Sequence, residues 1–283
     1  MKEKLYLTSR QNPTIKWLSS LSEKKYRDES QSFLLEGKKL CEEGMRAGLV
    51  ISHIVVREDN HEWQSLALQY CQNHEDTQFI VTNDSCFSKI SQEKSPEGVI
   101  IVAKYLDNFK YYYIINNNTL SDASFSGIVL LDAVRDPGNL GAILRTAAAF
   151  GVSHVILSAD CADLFHPRTL RAAMGAFLHL QIWQVGSLPQ AISALREQGR
   201  AVYAARLSDD AMPLSSVSLT PADAVVIGNE GHGISEAAIK ECTKSVYIPV
   251  GQAVESLNAS VAASILIWEQ MKGTRLETEK GRL

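Results

Sequence analysis

The chain has 283 residues, 45% of them hydrophobic, and a formal net charge of −4, which fits a globular protein of two ordinary domains. No apolar run approaches the roughly 20 residues of a membrane-spanning helix, and the start Met-Lys-Glu-Lys-Leu-Tyr lacks the apolar core of a secretion signal. Five scattered cysteines without Cys-x-x-Cys spacing and seven dispersed histidines predict reduced thiols, a cytoplasmic location, no disulfide framework and no metal cofactor.

Residues 1–105 read as one small α/β unit. Ile15, Trp17, Leu18 and Leu21 space a short helix, followed by the charged stretch Glu23 to Glu29. A helix is expected over 37–47, a strand over 50–56, a helix around 67–71, and strands over 79–81 and 98–103. Residues 1–50 hold ten Lys/Arg against seven acids. That modest excess is compatible with a solvated helix face or with an RNA-contacting patch.

Residues 106–126, with Tyr111 to Tyr113 and Asn116 to Asn118, break the pattern and read as a linker. The tyrosines suit either packing or base stacking. From residue 127 to 273 strands and helices alternate, with strands at 128–131, 154–157, 201–205, 224–227 and 245–248. Helices are expected at 139–150, 167–176, 189–199, 234–242 and 255–272. Such alternation predicts a parallel sheet covered on both faces. Residues 274–283 read as a charged, frayed tail.

Three strand-to-helix junctions in this half concentrate polar residues, where an open α/β sheet binds its ligands. The first is Asp132-Ala-Val-Arg-Asp-Pro-Gly-Asn-Leu-Gly-Ala-Ile-Leu-Arg-Thr146, with the helix starting near Asn139 as its cap. Arg145 lies one turn beyond Gly141 and suits a phosphate or a developing oxyanion, or else an ion pair with Asp132 or Asp136. The second, Ile227-Gly-Asn-Glu-Gly-His-Gly-Ile-Ser235, is neither a P-loop nor a dinucleotide fingerprint. Its glycines permit close backbone approach, Glu230 disfavours a phosphate there, and Ser235 suits a helix cap. The third runs from Val246 through Ile248-Pro-Val-Gly251 to Ser256-Leu-Asn258, with Ser256 and Asn258 in the first turn of a long helix.

Taken in order, Asp136-Pro-Gly-Asn-Leu-Gly-Ala-Ile-Leu-Arg-Thr-Ala147, Ile227 to Ile234, and Ile248-Pro-Val-Gly with Ser256-Leu-Asn-Ala-Ser-Val-Ala262 resemble the three motifs of the SpoU (TrmH-like) branch of the SPOUT RNA methyltransferases. The resemblance covers 127–272. Arg10 to Lys16, Lys24 to Arg27, Phe33 to Gly37 and Ser95 to Gly98 are similar to the family's L7Ae/L30e-like substrate-binding domain.

That resemblance implies a parallel-sheet α/β catalytic domain tied in a trefoil knot, a homodimer, and S-adenosylmethionine as cofactor. It implies 2′-O-ribose methylation of RNA, with 23S-type rRNA favoured over tRNA, and neither DNA nor a membrane as partner. By motif position Ile227, Gly228, Gly231, Ile248 and Leu257 hold the cofactor. Asn139, Arg145, Glu230, Ser256 and Asn258 form the polar active-site set, in which Arg145 acts as a charge clamp. Arg10, Lys16, Lys24, Lys25, Arg27, Arg168 and Arg171 are the expected RNA contacts. Where the family often has Ser and Lys, this chain has Ala173 and Arg168, so no role is assigned to Ala173. The alternatives are a tRNA methyltransferase, a non-catalytic RNA-binding relative in ribosome assembly, and a metabolite enzyme without an RNA role.

Overall fold

In the computed structural model, the described residues are 4–106, 109–110, 126–251 and 256–274. The tyrosine triplet, most of the expected linker and nearly all of the tail lie outside them. The chain divides into two compact units: residues 1–107 with 163–178, and residues 108–162 with 179–283.

The first unit begins with β1 (Leu5–Leu7), α1 (Pro13–Ser20), α2 (Lys24–Ser30), β2 (Ser32–Glu36) and α3 (Lys38–Arg46). It continues through β3 (Ile51–Arg57), α4 (His61–Asn73), β4 (Gln78–Thr82), α5 (Asp84–Ile90) and β5 (Val99–Lys104). The sheet is mixed, in the order β1-β4-β3-β5-β2. Helix α1 starts where Asn12 accepts the Thr14 amide at 2.8 Å, with Pro13 in its first turn. Its buried Ile15 and Leu18 join Val55, Ile80, Phe87 and Ile100 in one core. Strands β1 and β2 and helix α5 are additional to the sequence expectation. Their apolar segments are too short for periodicity to separate from loop.

The second unit opens with β6 (Phe109–Lys110), which pairs in parallel with Gln181–Val185, so the expected linker carries an edge strand. Then come β7 (Ile128–Leu131), α6 (Pro137–Ala149) and β8 (His154–Ser158). The next helix, α7 (Pro167–Ala173), and a 3₁₀ turn (Ala176–His179) follow, and nearly all of this excursion clusters with the first unit. Phe165 stacks on Tyr105 (centroids 4.1 Å) and tilts on Phe33 (4.6 Å), while Phe177 meets Phe33 edge-on. Aromatic packing of this kind is invisible to local periodicity, and it groups 163–178 with residues 1–107.

The chain resumes with β9 (Gln181–Val185), α8 (Leu188–Glu197), β10 (Val202–Ala205), β11 (Met212–Pro213) and β12 (Ala224–Ile227). It closes with α9 (Glu236–Glu241), β13 (Lys244–Tyr247) and α10 (Ala259–Met271). All pairings in this sheet are parallel, in the order β11-β13-β10-β12-β7-β8-β9-β6. Every residue of β7 and β12 is buried, as a parallel strand covered on both faces requires. Ile128, Leu130 and Val226 pack with α8 and α9 residues such as Ile192, Leu195 and Ala238, and α10 packs on α6 and β12. After β9 the chain crosses to the other side of β7 to lay down β10 and β12. That switch opens a crevice at the strands' carboxyl ends.

Candidate active site

Helix α6 starts two residues earlier than expected. Asp136 is its cap, accepting the Asn139 amide at 2.8 Å, and Pro137 stands in the first turn. Asn139 is therefore inside the helix, and its side chain is free to reach outward. Its Nδ2 donates to Glu230 Oε1 at 2.5 Å, and its Oδ1 accepts from Asn258 Nδ2 at 3.0 Å. One chain of side-chain bonds thus joins all three sequence motifs.

Each end of that chain is anchored. Asn258 is the cap of α10, not part of its first turn, and its Oδ1 accepts the Ser260 and Val261 amides at 2.9 and 3.3 Å. The loop carrying Glu230 is closed by Asn229 and Gly233, which exchange two backbone bonds of 2.9 Å. Asn229 also accepts from the Gly231 and His232 amides and donates to the Ala133 carbonyl at 2.9 Å. Ala133 has φ +53°, a left-handed conformation held by this bond and by its own amide on Ser158 Oγ at 2.9 Å. Asp132 accepts the Ser235 amide at 2.8 Å, and Ser235 caps α9 as the sequence predicts.

Beside this network lies a cavity of about 530 Å³. Its walls are Ile227, Gly228 and Glu230 from the β12 loop, Ile248 to Val250 after β13, Ser256 and Leu257 before α10, and Ala205 to Leu207 after β10. Gly228 is obligatory there: a Cβ would sit 2.3 Å from the Gly233 carbonyl carbon and 2.5 Å from the Ile234 nitrogen. Four of the five expected cofactor residues line the cavity. Gly231 does not, because its amide turns inward to Asn229. The sequence reading missed Asn229, Arg206 and Tyr247, although Asn directly after a glycine in such a loop is a recognisable turn-former.

Arg145 is exposed on α6 and has no side-chain partner among the described residues. No ion pair between Arg145 and Asp132 or Asp136, left open by the sequence, forms among the described residues; Asp132 accepts the Ser235 amide and Asp136 the Asn139 amide. Burial pushes the Cys161 thiol up and the Cys242 thiol up to about 12, so neither is a thiolate nucleophile at neutral pH.

In the first unit, Arg10 and Lys16 are exposed, Lys24 and Lys25 pair with Asp28 and Glu29, and Arg168 is exposed on α7. Arg171 is half-exposed and pairs with Glu93. Exposed pairs of this kind exchange readily with a phosphate. Arg27 corrects the expectation. It is 1% exposed and donates to the Leu21 and Ser22 carbonyls at 2.8 and 2.7 Å and to the Asp163 carboxylate. A guanidinium so enclosed is structural and does not reach RNA.

Residues 126–268 match the model of the SpoU rRNA methylase family, and residues 12–101 match the MRM3-like substrate-binding domain. The chain belongs to the SpoU rRNA methylase family. Bacillus subtilis 23S rRNA (guanosine(2553)-2′-O)-methyltransferase RlmP is 29% identical over 262 residues, covering 93% of this chain and 97% of that protein. A Synechocystis protein named as a tRNA/rRNA methyltransferase is 30% identical over 263 residues, 93% of this chain and 92% of its own length. The structure of a Sinorhizobium meliloti rRNA methyltransferase with bound AdoMet superimposes with a TM-score of 0.82 at 27% identity, covering 96% of this chain and 98% of that one. Among the described residues, the cavity walls offer backbone and apolar surface with the Glu230 carboxylate and the Arg206 guanidinium.

Proposed function

We propose that this chain transfers the methyl group of S-adenosylmethionine to a ribose 2′-hydroxyl in 23S-type ribosomal RNA. The observation that carries the reading is the Glu230–Asn139–Asn258 chain beside the cavity, with Arg145 on the same helix, exposed and without a side-chain partner among the described residues. RlmP's similarity along nearly the whole chain and the matched substrate-binding domain support ribosomal RNA.

The cofactor supplies an already activated methyl group, so the residues have two tasks: to align the acceptor and to favour its oxyanion character. Orientation alone contributes on the order of 7–11 kcal/mol. Gly228, Ile248 and Leu257 shape the seat of the donor's nucleoside, and Glu230 has the sign that favours a sulfonium. Asn139 holds Glu230 in place and is itself held by the α10 cap. Ser256, exposed at the cavity wall, supplies a hydroxyl at the same edge. Arg145, with a guanidinium pKa above about 12, is a poor base. It serves as a clamp that stabilises the developing alkoxide and a neighbouring phosphate. As the oxygen bonds to the methyl carbon, the carbon–sulfur bond breaks with its electron pair passing to sulfur, and the hydroxyl proton leaves to phosphate or water.

The reading includes a trefoil-knotted arrangement of the cofactor loops, a cytoplasmic location and a homodimer. The half-exposed Val261 and Trp268 on α10 support a partner surface. The test is to map 2′-O-methyl groups in rRNA and tRNA from a deletion strain, then restore the missing mark with purified wild-type protein. Arg145→Ala is expected to abolish methylation while S-adenosylhomocysteine still binds. Loss of a tRNA mark instead would replace the substrate, and loss of cofactor binding in the variant would remove Arg145 from its assigned role.

A further inference from the structure

The cofactor cavity is electrically polarised in a way the family motifs leave unused. Arg206 follows β10 immediately, and its amide donates to the Val246 carbonyl at 2.9 Å. This bond fixes the residue at the carboxyl end of the sheet, next to β13. Among the described residues of the cavity walls, Arg206 and Glu230 are the two whose side chains carry full charges at neutral pH. They are held by different neighbours. Glu230 takes the Asn139 amide, whereas Arg206 Nε donates to Ser208 Oγ at 3.0 Å and one terminal nitrogen to Asp210 at 3.2 Å. The other terminal nitrogen, Nη1, has no partner among the described residues. The Arg206 side chain is 25% exposed and that of Asp210 is 73% exposed. The existing ion pair is therefore open to water and exchanges at little cost.

S-adenosylmethionine carries a sulfonium, an ammonium and a single carboxylate. The described walls, with the Glu230 carboxylate and the Arg206 guanidinium, present both signs that such a ligand needs. We propose that Arg206 is the specificity residue for the carboxylate of the donor's amino-acid tail, taking it through the Nη1 edge of its fork. The assignment rests on the cavity being the S-adenosylmethionine site. It predicts that Arg206 discriminates a ligand with the tail from one without it, and has little effect on recognition of the nucleoside.

Two probes separate these contributions in calorimetric titrations of the purified full chain: S-adenosylhomocysteine, which has the tail, and 5′-methylthioadenosine, which lacks it. Wild type should favour S-adenosylhomocysteine. Arg206→Met keeps the aliphatic stem and removes the charge. It should reduce that preference by about tenfold, the scale of one charge-assisted contact at a partly exposed site, with 5′-methylthioadenosine affinity unchanged. Arg206→Lys should retain part of the preference. Equal weakening of both probes in Arg206→Met would mean that the residue only shapes the wall, and an unchanged preference would equally overturn the proposal. Failure of wild type to bind either probe would instead overturn the cofactor reading beneath it.

Discussion

Replacing Gly228 by Ala tests whether the proposed cofactor cavity depends on how its loop closes. The added Cβ would lie 2.3 Å from the Gly233 carbonyl carbon, 2.5 Å from the Ile234 nitrogen and 2.6 Å from the Gly233 oxygen. All three are backbone atoms, so no side-chain rotation relieves the overlap, and relief to van der Waals contact needs a movement of about 1 Å. That movement opens the Asn229–Gly233 pair, whose two bonds of 2.9 Å contribute about 1 kcal/mol each. Overpacking adds about 1–3 kcal/mol. A loop penalty of about 3 kcal/mol, felt mainly by the binding-competent conformation, weakens cofactor affinity about a hundredfold. Titration with S-adenosylhomocysteine measures this directly, and thermal melting shows whether the rest of the fold persists. An affinity within about threefold of wild type would refute the claim that this backbone contact shapes the cavity.

Arg27→Met should lower stability by about 3–5 kcal/mol, because it leaves the Asp163 carboxylate, 12% exposed, without its buried partner. Denaturant unfolding followed by the Trp17 and Trp63 fluorescence of the same unit would show it, and a loss below about 1 kcal/mol would return Arg27 to the list of RNA contacts. Adding Asp163→Leu to that variant should recover part of the loss, since the stranded charge goes with its partner. Glu36 provides a pH test: burial raises its pKa above the ordinary 4.5, against bonds from Ser91 and the Gln92 amide that lower it. With the folded pKa above the unfolded one, the folded state binds more protons in the window above pH 4.5, so stability falls as pH rises through it. Glu36→Gln should therefore melt higher than wild type at pH 7, with the advantage shrinking towards pH 4; an advantage independent of pH would refute burial as the cause.

The sequence by itself determined most of the catalytic half. Strands Ile128–Leu131 and Ala224–Ile227 stand where the apolar runs predict them, because a strand buried on both faces must be apolar at every position. The three motifs were legible for a related reason: glycine, proline and amide side chains at strand-to-helix junctions have few structural explanations. Tertiary structure decided how those junctions act together. That Asn139 is not a cap but a link between Glu230 and Asn258 depends on residues 91 and 119 positions away, beyond the reach of any local pattern. Arg27 shows the opposite failure. It sits in a charged, helical-looking stretch that reads as solvated, yet Asp163, 136 positions on, draws it into the interior. The excursion 163–178 is held to the first unit by rings on Phe33 and by this same ion pair. Composition and spacing set each element's own character. Which charges are buried, which stay exposed and which walls enclose the proposed cofactor cavity follow only when distant segments compete for the same partners.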